Sequence, residues 1–357
     1  MANVVVNSSN IVTRYAAKVI AQAEKLEVLR PLIGEMGNAD AFCYRPGDEH
    51  KNGLYWNIPL RKAITTAALE DGATYEGQGQ KSIMSTTTIT ANERGQVFGG
   101  FDTWEELQTV VPLRETHASE ASAWGAYDFD YKGITRLVLA TATLPAKDSR
   151  STSQYNVWYA GSAQGWDSVQ VGDLISPSEI SKAKRYFSGF RGIRPALIGP
   201  GRYGYILILP NEATLNLQLH GDYVSALKQV LPRSEEHIFF KGHGLNPWGY
   251  WDGVYLVEDQ RPVYGGSDAT FLTTESIAEG DFLKFEGLFL GAQAFSYAEW
   301  KPMSWYERIW DHNRKFEVSV NSVFGFAKNV INLGTLNSVS ARDYGLGYFV
   351  AAATAIA

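Results

Sequence analysis

The chain has 357 residues, more than one domain usually holds, and its 45% hydrophobic and 20% charged residues exclude an intrinsically disordered protein. A net charge of −6, from 32 basic and 38 acidic side chains, excludes a protein that coats itself with nucleic acid. The single cysteine, Cys43, excludes an internal disulfide framework, and we expect it to be a buried, unreactive thiol.

The N-terminal 45 residues predict one amphipathic helix. Asn10 is its candidate cap, and Pro31 and Gly34 disfavour its continuation. The start has no cationic stretch followed by a long apolar run, so no secretion signal is predicted, and no later segment is apolar enough to span a membrane. The helical stripe packs either within the subunit or along a neighbour, and its members fall at three- and four-residue spacing: Ile11, Tyr15, Val19, Ala23, Leu26, Leu29 and Ile33.

From Tyr55 to about Phe98 the sequence predicts two strands with polar faces, separated by a glycine-rich turn region around Asp71-Gly72. A two-stranded ribbon is marginal by itself in water, so it is expected to rest on another chain. An ordinary edge hairpin is the alternative.

Helices and buried strands follow. Asp102 and Thr103, each followed three residues later by a glutamate, predict a helix start, and a long helix is expected over much of Leu113–Ala142, although Gly125 and Gly133 weaken it. A second helix is expected from Ser176, Pro177 and Glu179 towards Phe187, then a doubly buried strand at Tyr205–Leu209. Asn211 would cap the next helix, with one apolar side formed by Leu215, Leu219, Tyr223 and Leu227.

Strands and turns dominate from Ile238 onward. Short apolar runs predict strands at Leu288–Leu290, Phe316–Val320 and Tyr348–Ala353, separated by glycines and by a charged aromatic turn.

Several enzyme-like patterns lack the context that their chemistry needs. Gly199–Gly204 matches GxGxxG, but it precedes a strand, where a dinucleotide site would follow one and open a helix. His237 and His243 have no cysteine or carboxylate at metal-ligand spacing. No catalytic residue, cofactor or metal site is therefore predicted.

Glu307 and Asp311 would share one face of a helix beside Trp305 and Trp310, as a carboxylate pair with aromatic sugar platforms would. Glycosidase carboxylates must flank a bond from opposite sides, which neighbours on one helical face do poorly, so salt bridges to nearby basic residues are expected instead. A carbohydrate-active protein remains an alternative, suggested by Trp248, Trp251, Trp305 and Trp310.

Several fragments in order resemble the major capsid proteins of tailed bacteriophages, in the family named after the N4-like phages. The resemblance rests on the segments 55–77, 86–107, 202–218, 238–263, 287–294, 305–313, 324–332 and 343–354. Leu69-Glu70-Asp71-Gly72 departs from the family's L-x-E-G element by one inserted acid.

The resemblance implies an α+β chain with the capsid fold shared by tailed phages and herpesviruses, the Hong Kong 97 type. The implied parts are an N-terminal arm (1–50), an extended loop formed by the β ribbon (51–98), a peripheral domain with a long spine helix (99–150 and 280–345) and an axial domain (151–279 and 346–357).

The implied function is structural, not enzymatic. Hexamers and pentamers of this chain would close an icosahedral shell around packaged double-stranded DNA, without sequence-specific binding. A separate scaffolding protein, a portal and a decoration protein are the expected partners, with assembly in the host cytoplasm and final location in the virion. A cytoplasmic compartment shell of the same fold is the alternative.

Contacts between subunits are assigned to the ribbon and the N-terminal helix. The candidate residues are Trp56, Glu70, Asp71, Tyr75, Ile11, Tyr15 and Val19.

Overall fold

The computed structural model describes residues 18–23, 27–47, 51–61, 84–102, 113–138, 144–145, 154–199, 201–223, 247–258, 274–276, 282–310, 315–332 and 341–354. Its helices are α1 (Leu113–Leu137), α2 (Pro177–Arg185) and α3 (Asn211–Leu219). Its strands are β1 (Ile33–Met36), β2 (Cys43–Arg45), β3 (Lys51–Asn52), β4 (Tyr55–Arg61), β5 (Met84–Thr90), β6 (Asn92–Asp102), β7 (Val157–Tyr159), β8 (Ala196–Gly199), β9 (Arg202–Leu209), β10 (Pro247–Trp251), β11 (Val254–Glu258), β12 (Thr274–Ser276), β13 (Phe282–Leu290), β14 (Phe295–Trp310), β15 (Lys315–Lys328), β16 (Val330–Asn332), β17 (Ala341–Asp343) and β18 (Leu346–Thr354).

One sheet has the strand order β10-β11-β9-β13-β18-β7, with β12 beside β13 and β8 beside β9. Its central strands separate two apolar cores, because successive side chains point to opposite faces. In β9, Ile206 and Ile208 enter one core, while Leu207 and Leu209 enter the other. The predicted double burial of Tyr205–Leu209 is confirmed, as are the predicted strands around Leu288 and Tyr348.

The second sheet has the order β1-β2-β14-β15-β6, and α1 packs against it. Phe129 of α1 meets the rings of Tyr297, Phe324 and Phe326 at centroid distances of 5.4, 5.4 and 5.0 Å. Phe129, Phe324 and Phe326 also belong to the same core as Ile206. The two sheets therefore share one apolar interior.

The long helix predicted over much of Leu113–Ala142 is confirmed. It is α1, which is helical from Leu113 to Leu137. Gly125 and Gly133, which weaken the prediction, are explained by packing. A Cβ at Gly125 would lie 2.6 Å from the Met303 sulfur, and one at Gly133 would overlap the Leu29 side chain. The glycines let neighbouring segments lie directly against the helix.

The N-terminal helix is shorter than predicted. Residues 18–23 are helical, but Leu29 precedes a 3-10 turn at Arg30–Leu32, and Ile33 begins β1. The Asp130 carboxylate on α1 accepts hydrogen bonds from the amides of Val28 and Leu29 at 2.8 and 3.0 Å. These amides are therefore held by α1 and not by a continuing helix, so the placement of Leu29 and Ile33 on the helical stripe is wrong.

The helix start at Ser176 is confirmed, because its side chain accepts a hydrogen bond from the Glu179 amide at 3.3 Å. The cap predicted at Asn211 is wrong. Pro210 occupies the cap position and Asn211 is the first helical residue.

The predicted apolar side of α3 is also wrong for Leu215 and Leu219, whose side chains are exposed. Ala213, Thr214 and Leu217 face the core instead. Tyr223 is buried as expected, whereas Leu227 lies outside the described residues.

The expected division into arm, loop and domains stays a prediction, and the sheet pairing bears on it at two places. β6, most of which was expected to belong to the extended loop, pairs with β15 in the five-stranded sheet. β13, expected in the peripheral domain, pairs with β9 and β18 in the eight-stranded sheet. The chain passes from the eight-stranded to the five-stranded sheet after Leu290.

This passage is made by residues 291–294, which we call the corner. The amides of Ala292, Gln293 and Ala294 donate to the carbonyls of Arg194, Ala41 and Phe42 at 2.8, 2.8 and 2.9 Å. A Cβ at Gly291 would overlap the Arg194 carbonyl oxygen and the Ile193 side chain. The backbone of the corner is therefore hydrogen-bonded directly to the backbones of two other segments, one at Ala41 and Phe42 and one at Arg194.

A buried ion pair lies where β15 passes towards β17. Lys328 Nζ lies 3.3 Å from Asp343 Oδ1 and donates to the Tyr348 hydroxyl at 3.1 Å. Burial raises the pKa of Asp343 from an ordinary 3.8 to about 6, although Lys328 opposes the shift.

We expect this carboxyl to make stability fall as pH rises. The folded chain keeps the Asp343 proton up to about pH 6 while the unfolded chain releases it near pH 3.8, so the contribution is complete below pH 3.8 and is lost as pH approaches 6. Urea unfolding of wild type and Asp343→Asn measures this effect. Between pH 4 and pH 7 the free energy of unfolding of the wild type should fall by roughly 2–3 kcal/mol more than that of the variant.

The control for this measurement is Asp40→Asn, which alters an exposed carboxylate. Its free energy of unfolding should change between pH 4 and pH 7 by the same amount as that of the wild type. If the difference in free energy of unfolding between wild type and Asp343→Asn is the same at pH 4 and pH 7, the prediction is contradicted.

Candidate interaction surface

β4 and β5 form an antiparallel pair, which we call the ribbon, with Tyr55 opposite Thr90 and Arg61 opposite Met84. Its two faces differ because side chains alternate along each strand. The inner face is apolar at its base, with Trp56, Ile58, Leu60 and Ile89 buried. The outer face is exposed and consists of Tyr55, Asn57, Pro59, Thr86, Thr88 and Thr90.

The inner face anchors the ribbon to the five-stranded sheet of its own chain. Trp56 packs against Trp300 of β14 with ring centroids 5.7 Å apart, and Ala298 joins the same cluster. Trp300 Nε1 donates to the Gly53 carbonyl at 2.8 Å, and the Thr87 hydroxyl donates to the Val330 carbonyl at 3.4 Å. At its base the ribbon therefore rests on its own chain.

From Tyr55 to Pro59 on β4 and from Thr86 to Thr90 on β5, the outer face carries no charged side chain. The Thr88 hydroxyl donates to Asn57 Oδ1 across the two strands at 2.9 Å, so part of the polar surface is satisfied within the ribbon. Thr86 and Thr90 lie on either side of Thr88 along β5. Such a flat, uncharged face can pack against another protein surface without desolvating an ion.

The structure describes two of the seven candidate contact residues. Trp56 and Val19 are 3% and 1% exposed. Val19 packs with Ala118 and Ala121 of α1 and with Trp305. Both side chains are buried against their own subunit, so little of their surface is exposed for contact with a neighbour. The other five, Ile11, Tyr15, Glu70, Asp71 and Tyr75, lie outside the described residues.

The helical arrangement of Glu307 and Asp311 is wrong, since Trp305–Trp310 is the end of β14 and not a helix or a turn. Trp305 Nε1 donates to Glu307 Oε1 at 3.1 Å. This indole hydrogen bond takes the place of the expected salt bridge, and Asp311 lies outside the described residues.

The other enzyme-like patterns have structural explanations where they are described. Gly199–Gly204 joins β8 to β9 in a hairpin, with Gly201 at φ +70°, as expected for a plain turn. Cys43 is a free, buried thiol whose pKa is raised by burial. His237 and His243 lie outside the described residues, within which no group of three or more potential metal ligands occurs.

No described helix combines the length and apolarity that a membrane crossing requires.

A second surface feature, which the sequence analysis missed, lies at the C-terminal end of α1. A cavity of about 240 Å³, which we call the basic cleft, is lined by Asn92, Lys132, Thr135, Arg136, Phe324, Gly325 and Phe326. Lys132 and Arg136 are four residues apart, which places them on one helical face. That spacing was available in the sequence, but the aromatic floor comes from β15, nearly 200 residues later in the chain.

Comparisons with known proteins bear on the fold and on the C-terminal part of the chain. Residues 225–355 match the model of a family described as phage capsid protein. The major capsid protein of Pseudomonas phage KPP25 is 28% identical over 162 residues, which are 43% of this chain. The match spans 38% of the length of that relative.

Solved structures match nearly the whole chain. The capsid of Ralstonia phage GP4 has a TM-score of 0.69 at 16% identity, covering 94% of this chain and 92% of that one. The capsid of Cyanophage Pam1 has a TM-score of 0.64 at 13% identity, covering 93% of each chain. The expected fold is confirmed: this chain has the phage capsid fold of the Hong Kong 97 type.

Replacing Trp56 should loosen the ribbon at its base. Trp56→Ala removes a buried ring, which we expect to lower the free energy of unfolding by about 3 kcal/mol. Trp56→Phe should cost less, because it keeps a ring and removes an Nε1–H that has no acceptor in the described part of the chain. Urea unfolding and the rate of proteolytic cleavage within the ribbon measure the effect.

Tyr55→Ala is the matched control, because Tyr55 is the preceding residue and faces outward. It should change the free energy of unfolding by less than about 1 kcal/mol. Equal losses for Trp56→Ala and Tyr55→Ala would contradict the anchoring role.

Proposed function

We propose that this chain is a major capsid protein, many copies of which close an icosahedral shell around packaged double-stranded DNA. The observation that carries the proposal is the capsid fold across more than nine-tenths of the chain, at TM-scores of 0.69 and 0.64. The match of residues 225–355 to a phage capsid family supports it from the sequence.

The physical character of the chain supports the same role. A shell protein must bury large surfaces against its own copies, and 13% of the residues are aromatic, the type that contributes most area to protein interfaces. Its net charge of −6 suits a wall that encloses DNA without holding it tightly, because strong phosphate binding would oppose packaging.

Within the shell, the ribbon and the 62–83 segment that joins its strands are assigned to a neighbouring subunit. The inner face of the ribbon packs against Trp300 and Ala298 of its own chain, while the outer face is exposed at Tyr55, Asn57 and Pro59 and at Thr86, Thr88 and Thr90. The ribbon base therefore acts as a support, and the contact residues proposed beyond it are Glu70, Asp71 and Tyr75.

The finer assignments form part of the proposal. The chain is placed among the N4-like capsid proteins, acts as a hexamer and pentamer subunit without catalytic activity, and assembles in the host cytoplasm before residing in the virion. A separate scaffolding protein and a portal are its expected partners, and a decoration protein is a further one.

Electron microscopy of particles from infected cells, combined with nuclease protection, tests this function. We expect closed icosahedral particles built from this chain whose double-stranded DNA resists added nuclease. Particles of the same fold that enclose protein would instead identify a cytoplasmic compartment shell. A small, unassembled species that binds glycans would identify a carbohydrate-active protein, and either result overturns the proposal.

Expression of the chain alone tests the separate scaffolding protein. The expected products are irregular or open assemblies, since nothing then sets the curvature. Uniform closed particles would show that the chain needs no scaffold.

Deleting residues 74–81 should abolish shell closure without unfolding the subunit. The change shortens the 62–83 segment and leaves the anchored strands β4 and β5 intact. Closed particles should fall at least about tenfold, since loss of one repeated contact worth 1.4 kcal/mol already gives a factor of ten per contact. Electron microscopy counts particles, and circular dichroism checks the fold.

The matched control replaces residues 74–81 by eight glycine and serine residues, which restores length but not side chains. Normal particles from the deletion variant would overturn the assignment of this segment to a neighbour. Normal particles from the control alone would show that length, not side-chain chemistry, is what closure requires.

A further inference from the structure

Two charged side chains and a tyrosine join the two sheets where β15, β17 and β18 meet. Lys328 ends β15 of the five-stranded sheet, and its Nζ donates to the hydroxyl of Tyr348, on β18 of the eight-stranded sheet, at 3.1 Å. Asp343 ends β17, lies 3.3 Å from the same Nζ and is 3% exposed. We call these three residues the junction cluster, because they hold strands of both sheets together.

The residue after Lys328 holds the corner from one side. Asn329 is fully buried, its Nδ2 donates to the Gln293 carbonyl at 2.9 Å, and its Oδ1 accepts from Ser296 Oγ at 2.7 Å. Its own carbonyl accepts a hydrogen bond from the Tyr344 amide at 3.0 Å, which ties the end of β17 to the end of β15. A shift of either member of the ion pair is therefore passed to the corner through Asn329.

The segment after Asp343 holds the corner from the other side. The Gly291 amide donates to the Gly345 carbonyl at 2.9 Å. A Cβ at Gly345 would overlap the Ala292 carbonyl oxygen, so the two backbones are in direct contact. The corner thus covers the chain two residues beyond the buried carboxyl.

The corner contains a strained residue. Gln293 has φ +54°, in the left-handed region that residues other than glycine disfavour. Such a residue persists only where the surrounding contacts hold it. These contacts are the Asn329 side chain on its carbonyl and the Ala41 carbonyl on its amide. Weakening either contact favours an open corner.

The charges around Asp343 decide in which direction pH acts. Burial raises the pKa of Asp343 to about 6, and Lys328, Tyr348 and Arg191 oppose the rise. Other charged or titratable groups that bear on the cluster in the described part of the chain include Arg342 on β17, Tyr155 and Glu286 on β13. The buried carboxyl thus favours its protonated form, whereas water favours the ionised form.

We propose that the junction cluster is a pH-sensitive switch for the corner, which closes over a protonated Asp343 and opens more often once the proton is lost. Opening means that the corner amides leave their carbonyl partners and that water reaches the carboxyl. Because the ionised form gains more from this water than the protonated form, ionisation shifts the population towards the open corner. The switch acts within one folded subunit, so it goes beyond the proposed shell and does not depend on it.

Hydrogen exchange of the full chain, followed by mass spectrometry, measures this opening. The amides of residues 291–294 are observed at pH 4, 5, 6 and 7, and each rate is divided by the intrinsic exchange rate at that pH. The opening constant should rise about fiftyfold from pH 4 to pH 7, because the carboxyl titrates at about 6 when the corner is closed and near 3.8 when it is open. Asp343→Asn has no proton to lose and should show no rise.

Urea separates opening of the corner from unfolding of the whole chain. Leu207 and Ile208 lie on a central strand of the eight-stranded sheet and are fully buried, so their amides exchange through global unfolding and faster as urea is added. The corner amides should exchange faster than these, at rates that low concentrations of urea leave unchanged.

Two variants show whether pH acts through the charge of the cluster. Lys328→Met removes a cation that opposes the raised pKa of Asp343, so the rise in opening should move to higher pH. A purely structural role of Lys328 would change the opening constant equally at every pH. Asp40→Asn is the matched control, because it alters an exposed carboxylate beside Ala41, whose carbonyl accepts from a corner amide. It should keep the wild-type profile.

Either of two results overturns the inference. In one, the corrected exchange of the wild-type corner amides stays constant from pH 4 to pH 7. In the other, these amides exchange at the same rate and with the same urea dependence as those of Leu207 and Ile208. The wild-type measurements alone decide both, so the test stands even where a variant does not fold. Particle microscopy tests the shell separately, and failure of the switch leaves the shell untouched.

Discussion

The corner at residues 291–294 is the constraint on which the architecture depends. β13 belongs to the eight-stranded sheet and β14 to the five-stranded sheet, so the chain changes sheet within four residues. Three successive amides in this stretch donate to carbonyls of other segments, and Gly291 has no space for a Cβ. Because buried amides must find acceptors, the corner fixes where Ala41, Phe42 and Arg194 lie. Strands β1 and β2, and β14, on which the ribbon packs, are positioned relative to the eight-stranded sheet through this corner.

Local sequence patterns predicted the elements whose causes are local. The apolar runs at Leu288 and Tyr348 predicted strands that the structure confirms as buried, and Ser176 with Pro177 and Glu179 begins its helix as predicted. The failures involve partners distant in sequence. No helix passes through Val28 and Leu29, because their amides donate to Asp130, about a hundred residues later. Trp305–Trp310 has helical-looking composition, but its pairing with β15 makes it a strand.

The same distinction explains the candidate surface. The ribbon was predictable from alternation and turn residues, but its anchoring was not, because Trp300 lies more than 240 residues beyond Trp56. Trp56 therefore looked like a contact residue and proved to be buried. The basic cleft went unnoticed because Lys132 and Arg136 are ordinary residues near a helix end. Only the approach of Phe324 and Phe326 turns them into the rim of a cavity.

The exposed residues Tyr55 to Pro59 and Thr86 to Thr90 on the outer face of the ribbon have a consequence for how a contact made there responds to salt. A surface of threonine, asparagine, proline and tyrosine offers no carboxylate, ammonium or imidazole, so changes of ionic strength scarcely alter its contact energy. The cations of the basic cleft belong to the opposite class, because their attraction to acids weakens as mobile ions accumulate around them. The two surfaces lie at opposite ends of that scale, although they adjoin where Gly325 of the cleft lies against Thr90 of the ribbon. Salt would thus weaken a contact made at the basic cleft and leave a contact made at these ribbon residues almost unchanged.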